Sequence, residues 1–352
     1  MIAALSERLL SSTGDLQAQT VSSIAWSFAR LSIRDRATLD RISSRALVLI
    51  PEFGAQEISN TSWALAVQRI KDEQMLLAIS SSAMRCLRTF LVLNLTNTFW
   101  AFAALSYEHA PLIEAIAAQS LSKIDAYYPQ ALSATAWSCA KCVYYNEQLL
   151  RAISAKAITV IGSFAPQNLA NTAWALARLL FRDVRLLEAI SSAAHVRLPE
   201  AIPKELSSTA WAFAKLAVED LPLMQTIANV AMDNIAECDA QCLANLAWSF
   251  GTLVVQPGRL LDEISAEALA KLHTFDAQEL ANTVWAYARL MAVDKPLCDA
   301  VAASAMARLG DFVMQNLTNT AWAFAPLGFR NKPLMDALSE AVLLNRSELI
   351  PQ

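Results

Sequence analysis

Glycine, proline and charged residues are scarce in this sequence of 352 residues. The chain has only 7 glycines and 12 prolines, too few for a protein rich in β-turns, for collagen or for a flexible linker. Charged residues make up 17% of the chain, whereas hydrophobic residues make up 55%. This composition predicts a largely helical protein.

A strong charge of either sign is also lacking. The 28 basic and 32 acidic residues give a net charge of -4 and a pI near 5.5, so no global basic field attracts nucleic acid. No run of about 18 apolar residues is present, so we expect no membrane partner. The six cysteines have no regular spacing, which argues against a disulfide framework and favours a reducing compartment. Neither a signal peptide nor an Arg-rich transit peptide is visible at the N-terminus.

Tryptophan, by contrast, recurs at a constant interval of 37 residues. The nine are Trp26, Trp63, Trp100, Trp137, Trp174, Trp211, Trp248, Trp285 and Trp322. Periods of 20 to 50 residues are typical of solenoids and propellers. The constant interval leaves no room for an inserted domain or a linker. We number each repeat from its Trp as position 0.

Capping residues and apolar spacing divide each repeat into two helices of roughly four turns. The start of the second helix is predicted at position +9, where seven repeats carry Asp or Asn, residues that accept hydrogen bonds from free backbone N–H groups: Asp35, Asp72, Asn146, Asp183, Asp220, Asp294 and Asn331. Apolar residues follow at +13, +16, +20 and +24, a single stripe of helical period. The Trp segment forms the first helix.

Trp points away from the broad apolar face of its own helix. With 100° per residue, positions -7, -3 and +4 lie on the same side as Trp; Gln167 and Gln278 occupy -7. Six repeats carry Asn at -3: Asn60, Asn97, Asn171, Asn245, Asn282 and Asn319. Five carry a basic residue at +4: Arg30, Lys141, Arg178, Lys215 and Arg289. Position -6 also varies, through Asn94, Asn168, Glu205, Glu279 and Asn316.

Few charges lie in the Trp helices. The segments from -9 to +5 contain 11 charged residues in 135 positions, against 49 in the other 217, so neighbouring helices must cover most of their surface. Two helices cannot bury such a surface alone. We therefore predict an all-α fold, an α-solenoid of nine 37-residue helix–turn–helix repeats plus a partial N-terminal repeat.

Both ends of the sequence fall inside a repeat. Residues 1–14 match part of a second helix, whereas residues 343–352 include the start of a further repeat. Solenoids need polar caps at their ends. The expectation is a single repeat array over 1–352, taken from a longer one.

No catalytic, cofactor or metal site is predicted. His109, His195 and His273 occupy three unrelated repeat positions, and the pair Cys139 and Cys142 replaces apolar residues of sibling repeats. Zinc would need two further ligands that no neighbour supplies. We expect neither enzyme activity nor a small-molecule substrate.

Two interpretations of the Trp face remain open. In the first interpretation, Trp and Asn have a structural role: they pack and form hydrogen bonds between adjacent Trp helices. In the second, the face lines a concave surface where aromatic, amide and guanidinium groups read single-stranded RNA, about one base per repeat. A code requires variation between repeats, so the candidate readers are positions +4, -3 and -6.

Four segments carry a family resemblance: QNLANTAWALARL, ELSSTAWAFAKL, ELANTVWAYARL and NLTNTAWAFAPLG. They resemble the octotricopeptide repeat of algal organellar proteins and, in their period, the heptatricopeptide repeat of protist RAP-domain proteins. The resemblance covers essentially the whole chain. It implies a sequence-selective RNA-binding solenoid in a mitochondrion or plastid, acting in RNA processing, stability, translation or ribosome assembly. The PPPEW stretch and the RAP domain are absent, so no cleavage activity is transferred.

The acidic pI opposes the RNA interpretation, because Lys and Arg contacts with phosphate normally supply most of the affinity. The Trp segments nevertheless carry a net charge of +1. The alternative is a protein-interaction scaffold of the HEAT or armadillo type that binds an extended peptide.

Overall fold

The computed structural model describes residues 16–344, and within them it contains eighteen helices and no strand. Nine Trp helices carry the repeat tryptophans: α1 (Ala18–Arg30), α3 (Ala55–Gln68), α5 (Val92–Ala104), α7 (Pro129–Lys141), α9 (Pro166–Arg178), α11 (Pro203–Lys215), α13 (Ala240–Leu253), α15 (Ala277–Arg289) and α17 (Met314–Phe324). Nine second helices alternate with them: α2 (Arg36–Leu49), α4 (Glu73–Cys86), α6 (Ala110–Ser122), α8 (Glu147–Val160), α10 (Val184–Arg197), α12 (Leu221–Asp233), α14 (Leu260–Lys271), α16 (Lys295–Ala307) and α18 (Lys332–Leu344). The all-α prediction is confirmed.

A short 3-10 turn follows each second helix from α2 to α16. These turns are Ile50–Glu52, Leu87–Thr89, Ile124–Ala126, Ile161–Ser163, Leu198–Glu200, Ile235–Glu237, Leu272–Thr274 and Leu309–Asp311. Each begins at the last apolar position of the second-helix stripe. The turn therefore returns the chain to the next Trp helix at the same place in every one of these repeats.

Side-chain caps begin the second helices, as the sequence predicts. Six of the seven predicted Asp and Asn residues accept a hydrogen bond from the backbone N–H three residues on: Asp72, Asn146, Asp183, Asp220, Asp294 and Asn331. Asp35 differs, because it accepts from the Thr38 hydroxyl at 2.7 Å. His109 takes the capping role in its repeat through Nδ1, which accepts from the Leu112 N–H at 3.2 Å. Local chemistry thus fixes where these helices start.

Apolar stripes on the second helices close the core against the Trp helices. In the fifth repeat Leu187, Ile190, Ala194 and Leu198 occupy the predicted stripe, and each is buried. The apolar and small residues buried in the Trp helices occupy positions -5, -4, -2, -1, +1, +2 and +3, as in α9. Repeats joined in this way form a helical-repeat solenoid.

Small residues allow the Trp helices to approach each other closely. Position +1 is Ala or Ser in all nine repeats, and position +3 is Ala in eight and Gly in one. A Cβ added to Gly251 would lie 2.8 Å from the Ala286 Cα, so +3 of one repeat packs on +1 of the next. Successive Trp helices of a unit contact each other far more extensively than successive second helices do. The Trp helices are therefore the more tightly packed layer.

The chain divides into two compact units, Met1–Ser163 and Phe164–Gln352. The first contains α1 to α8 and the second α9 to α18. Within each unit every Trp helix packs on the next Trp helix and on its own second helix. None of the described helices is long and apolar enough to cross a membrane.

The predicted partial helix at 1–14 lies outside the described residues. So does most of the predicted further repeat at 343–352, of which only residues 343 and 344 are described, at the end of α18. The prediction of one array over 1–352 stays a prediction.

Candidate nucleic-acid interface

Tryptophan lies at the surface of each Trp helix, on the side opposite the core. The seven internal Trp side chains are half-buried, and the outer two, Trp26 and Trp322, are 41% and 47% exposed. Positions +1, -1, +2 and +3 beside them are mostly buried, because the small residues there pack between helices. The largest side chain of the helix is thus held outside the core that its neighbours form.

Adjacent indoles form rows within each unit. In the first unit the ring centroids are 6.0 Å apart for Trp26 and Trp63 and 6.5 Å apart for Trp100 and Trp137. In the second unit four indoles run in sequence, with centroid distances of 6.4, 6.4 and 6.3 Å: Trp211, Trp248, Trp285 and Trp322. These spacings lie within the range of interacting aromatic pairs. We call this series of rings the Trp ladder.

All five basic residues at +4 are exposed: Arg30, Lys141, Arg178, Lys215 and Arg289. None of them forms an ion pair with any residue that the structure describes. The Arg289 guanidinium carbon lies 5.7 Å from the centroid of the Trp285 ring, one helical turn away, within cation–π distance. These cations are therefore placed beside the ladder and are available to a ligand.

The predicted asparagines at -3 lie one turn before Trp on the same side of the helix. All six are half-buried: Asn60, Asn97, Asn171, Asn245, Asn282 and Asn319. Between residues 16 and 344 the structure records no side-chain hydrogen bond for any of them. The expected amide hydrogen bonds between neighbouring Trp helices are not among the recorded contacts. Each amide keeps its donors and acceptor for another partner.

A row of glutamines extends this face, and the sequence analysis noted only two of its members. Seven repeats have Gln at -7, and all seven side chains are exposed: Gln19, Gln56, Gln130, Gln167, Gln241, Gln278 and Gln315. Repetition of a polar residue that the core does not need was the available signal. Gln at -7, Asn at -3 and Trp therefore form a complete column in five repeats, the second, fifth, seventh, eighth and ninth.

Position -6 caps the start of the Trp helix, and its predicted role in reading a ligand stays a prediction. Its side chains accept a hydrogen bond from the backbone N–H at the start of the same Trp helix: Glu57, Asn94, Asn168, Glu205, Glu279 and Asn316. Asn94 Nδ2 also donates to the Ser59 hydroxyl at 3.0 Å. Variation between Asn and Glu is explained by capping, since both offer the acceptor that the helix end requires.

Histidine and cysteine remain scattered. His109 is a cap, and His195 Nδ1 lies 2.9 Å from the Thr226 hydroxyl. Cys139 is fully buried, and burial raises its pKa well above the ordinary value. Cys238 and Cys242 are buried with their Sγ atoms 2.9 Å apart. In the part of the chain that the structure describes, no three His, Cys, Asp or Glu side chains are grouped to hold a metal ion.

The family comparison matches almost the whole chain. The protein-family model described as RNA-editing substrate-binding complex 6 protein matches residues 1–147, 142–221 and 204–349. This family is not the octotricopeptide or heptatricopeptide family, so that resemblance holds only at the coarser level of RNA-associated helical-repeat proteins. No curated protein matches the chain in sequence.

Two solved structures show a distant likeness. One is a homology model of the full-length AP-3 complex in an intermediate open conformation, with 11% identity over 94% of this chain and 67% of that chain and a TM-score of 0.33. The other is a circular tandem repeat protein with novel repeat topology and enhanced subunit contact surfaces, with 14% identity over 98% of this chain and 87% of that chain and a TM-score of 0.22. TM-scores this low carry no argument about function.

Proposed function

This chain belongs to the RNA-editing substrate-binding complex 6 protein family, and we propose that it binds single-stranded RNA in mitochondrial RNA processing. The family's name refers to RNA-editing substrates. Its mitochondrial setting supports one of the two organelles that the sequence suggested, and the plastid has no such support. The role we propose is binding, without catalysis of its own.

The observation that carries the proposal is the shared face on which amides, indoles and cations of different repeats lie at least partly exposed. Bases of single-stranded RNA stack on aromatic rings and hydrogen-bond through their edges, and cations contact the phosphates. All three kinds of group lie on the exposed side of the Trp helices. A footprint of about nine nucleotides follows if each repeat takes about one base.

Local charge supports RNA in spite of the net charge of -4. The five cations at +4 lie on the same face as the Trp ladder, and the Trp segments together carry a net charge of +1. Asp72, Asp183 and Asp294, for example, are engaged in capping second helices. A modest positive row within an acidic protein predicts moderate, salt-sensitive affinity.

A protein scaffold is the second candidate, and exposed apolar residues favour it. Val143, Leu180, Val254 and Met291 occupy +6 in four repeats and are each more than half exposed. Such a row suits an extended peptide or a partner of a larger assembly. The two candidates use different residues and are therefore separable by mutation.

Replacing the cations at +4, which lie beside the Trp ladder, tests the proposal that the chain binds RNA. The triple variant R178A/K215A/R289A is expected to bind short RNA oligomers more weakly, with a salt slope lower by about 2, since each phosphate contact on a single strand contributes about 0.7. Fluorescence anisotropy at several salt concentrations measures both quantities. A sequence-selective RNA-binding protein would also enrich one motif from a random RNA pool.

The matched control removes three exposed cations from the second-helix segments, in R185A/R259A/K295A. Its net charge equals that of the first triple variant. If both variants lower the affinity for RNA equally, the face that carries the Trp ladder is not the RNA-binding face. If the unaltered chain binds no RNA at low salt, the scaffold function replaces the RNA function.

A further inference from the structure

The spacing of the Trp ladder defines how a strand is held. Stacked bases are about 3.4 Å apart, so a base lying between two rings requires about 6.8 Å. The ring centroids of Trp211, Trp248, Trp285 and Trp322 are 6.3 to 6.4 Å apart in sequence. Once two rings turn face to face around a base, their centroid distance would increase by only about 0.5 Å, which is small against side-chain motion.

The rings are also accessible and tilted. Successive planes differ by 27° to 38°, so each pair is wider on one side than on the other. The internal rings are half-buried, with the remaining surface open to a ligand. Bases in a duplex are already stacked and paired, so only an unpaired strand can use such sites.

The groups along each helix give the strand an orientation. At 1.5 Å per residue, Asn at -3 lies about 4.5 Å from Trp toward the helix N-terminus and the residue at +4 about 6 Å toward the C-terminus. Amides hydrogen-bond to base edges, whereas Lys and Arg contact phosphates. Base edges therefore face the -3 row, and the sugar–phosphate backbone follows the +4 row.

We propose, resting on the RNA-binding function above, that three successive unpaired bases insert between the rings of Trp211, Trp248, Trp285 and Trp322. Asn245, Asn282 and Asn319 hydrogen-bond to their edges, because each lies one turn from the second ring of its pair. Gln241, Gln278 and Gln315 continue the same columns. The column of Trp211 differs, with Lys204 and Ser208 in place of the two amides, so within this row of four rings selective reading begins at Trp248.

A fluorescent base tests the insertion directly. The full chain is titrated with single-stranded RNA that contains 2-aminopurine, whose emission falls when it stacks on an aromatic ring. We expect quenching on binding and about a tenfold loss of affinity for W248A or W285A. W248F keeps an aromatic ring and is expected to retain most of the affinity. N282A is expected to relax the base preference at one position of a selected motif.

Three outcomes separate the proposals. Salt-dependent RNA binding without quenching, and with unchanged affinity in W248A and W285A, would overturn the insertion while leaving RNA binding intact. Equal affinity for duplex and single strand would also overturn it. Absence of RNA binding at low salt would reject both the base insertion and the RNA-binding function on which it rests. Circular dichroism of W248A and W285A, whose rings lie outside the core, checks that each variant is folded.

Discussion

At the scale of single residues, the end of each Trp helix is the least expected feature. Position +6 has a positive φ in all nine repeats, between 49° and 66°, yet eight of the nine residues are not glycine. The Val143 N–H bonds to the Ala140 carbonyl and the Tyr144 N–H to the Cys139 carbonyl, as in a Schellman motif. The hydrogen bonds of this turn hold residues that would otherwise avoid the left-handed region.

Glycine at such a position is expected to stabilise the fold. Val254 is β-branched and has φ of 55°, so V254G should raise the free energy of unfolding by about 1 kcal/mol, the strain exceeding the entropy that glycine adds to the unfolded chain. Urea unfolding measures the change. The reverse substitution G328V, at the same repeat position, should lower stability by a similar amount. A loss of stability in V254G would show that strain is absent there.

Sequence reasoning predicted the caps but not these turns, for a physical reason. A cap such as Asp72 or Asn331 depends on one side chain and on the backbone N–H three residues away. The residue type is therefore sufficient to predict the cap. The left-handed turn at Val143 or Val254 depends on backbone hydrogen bonds and on packing of the following residues. Their side chains carry no signal for it, and the usual marker, glycine, occurs only at Gly328.

At the scale of helices, close approach of the Trp helices sets the distance between successive indoles. Alanine at +1 and +3 keeps side-chain bulk out of the contact, and the tryptophan is directed away from it. Alanines at +1 and +3 occur in all four segments that carry the family resemblance, but the sequence does not show their packing role. The spacing of the indole rings and the exposure of their side chains could not be predicted from the sequence, since both depend on the packing of helices that are 37 residues apart in the chain.

Helix packing predicts that replacing Gly251 by alanine destabilises the fold, although the other eight repeats have alanine at this position. The new Cβ would lie 2.8 Å from a backbone atom of Ala286. Overpacking costs about 1–3 kcal/mol, against about 1 kcal/mol gained from helix propensity. G251A should therefore lower the free energy of unfolding by up to about 2 kcal/mol, as measured by urea unfolding.

Gly162 provides the control, because nothing lies within 4 Å of a Cβ added there. G162A should leave the unfolding midpoint unchanged or raise it slightly. Should G251A prove as stable as G162A, the α13 and α15 helices would have to separate without cost, and the packing described for them would be wrong.

At the scale of the whole molecule, charged residues of both signs are concentrated outside the Trp segments. The sequence alone showed this distribution, because it depends only on repeat position. The sequence also showed six cysteines outside any framework, and the structure gives them a consequence. Burial raises the pKa of Cys142 and of Cys298 to about 11 in each case, with acidic neighbours reinforcing the shift.

Alkaline pH should therefore destabilise the protein. The unfolded chain releases these thiol protons near pH 9, whereas the folded chain retains them until about pH 11. The contribution is fully present below pH 9 and is lost as the pH rises through 11. Urea midpoints at pH 8 and pH 10.5 should differ more for the unaltered protein than for C142S/C298S. An identical pH dependence in the two would assign the alkaline loss to other groups.

The indole rows also give the protein an optical property. Rings whose centres lie 6.0 to 6.5 Å apart exchange excitation energy faster than they emit, and their strong far-ultraviolet transitions couple into a split circular dichroism band. A quencher that touches one ring therefore darkens its neighbours as well. Intrinsic emission reports that a row is occupied but not how many of its rings are covered, so the light-absorbing unit of this molecule is the row and not the tryptophan.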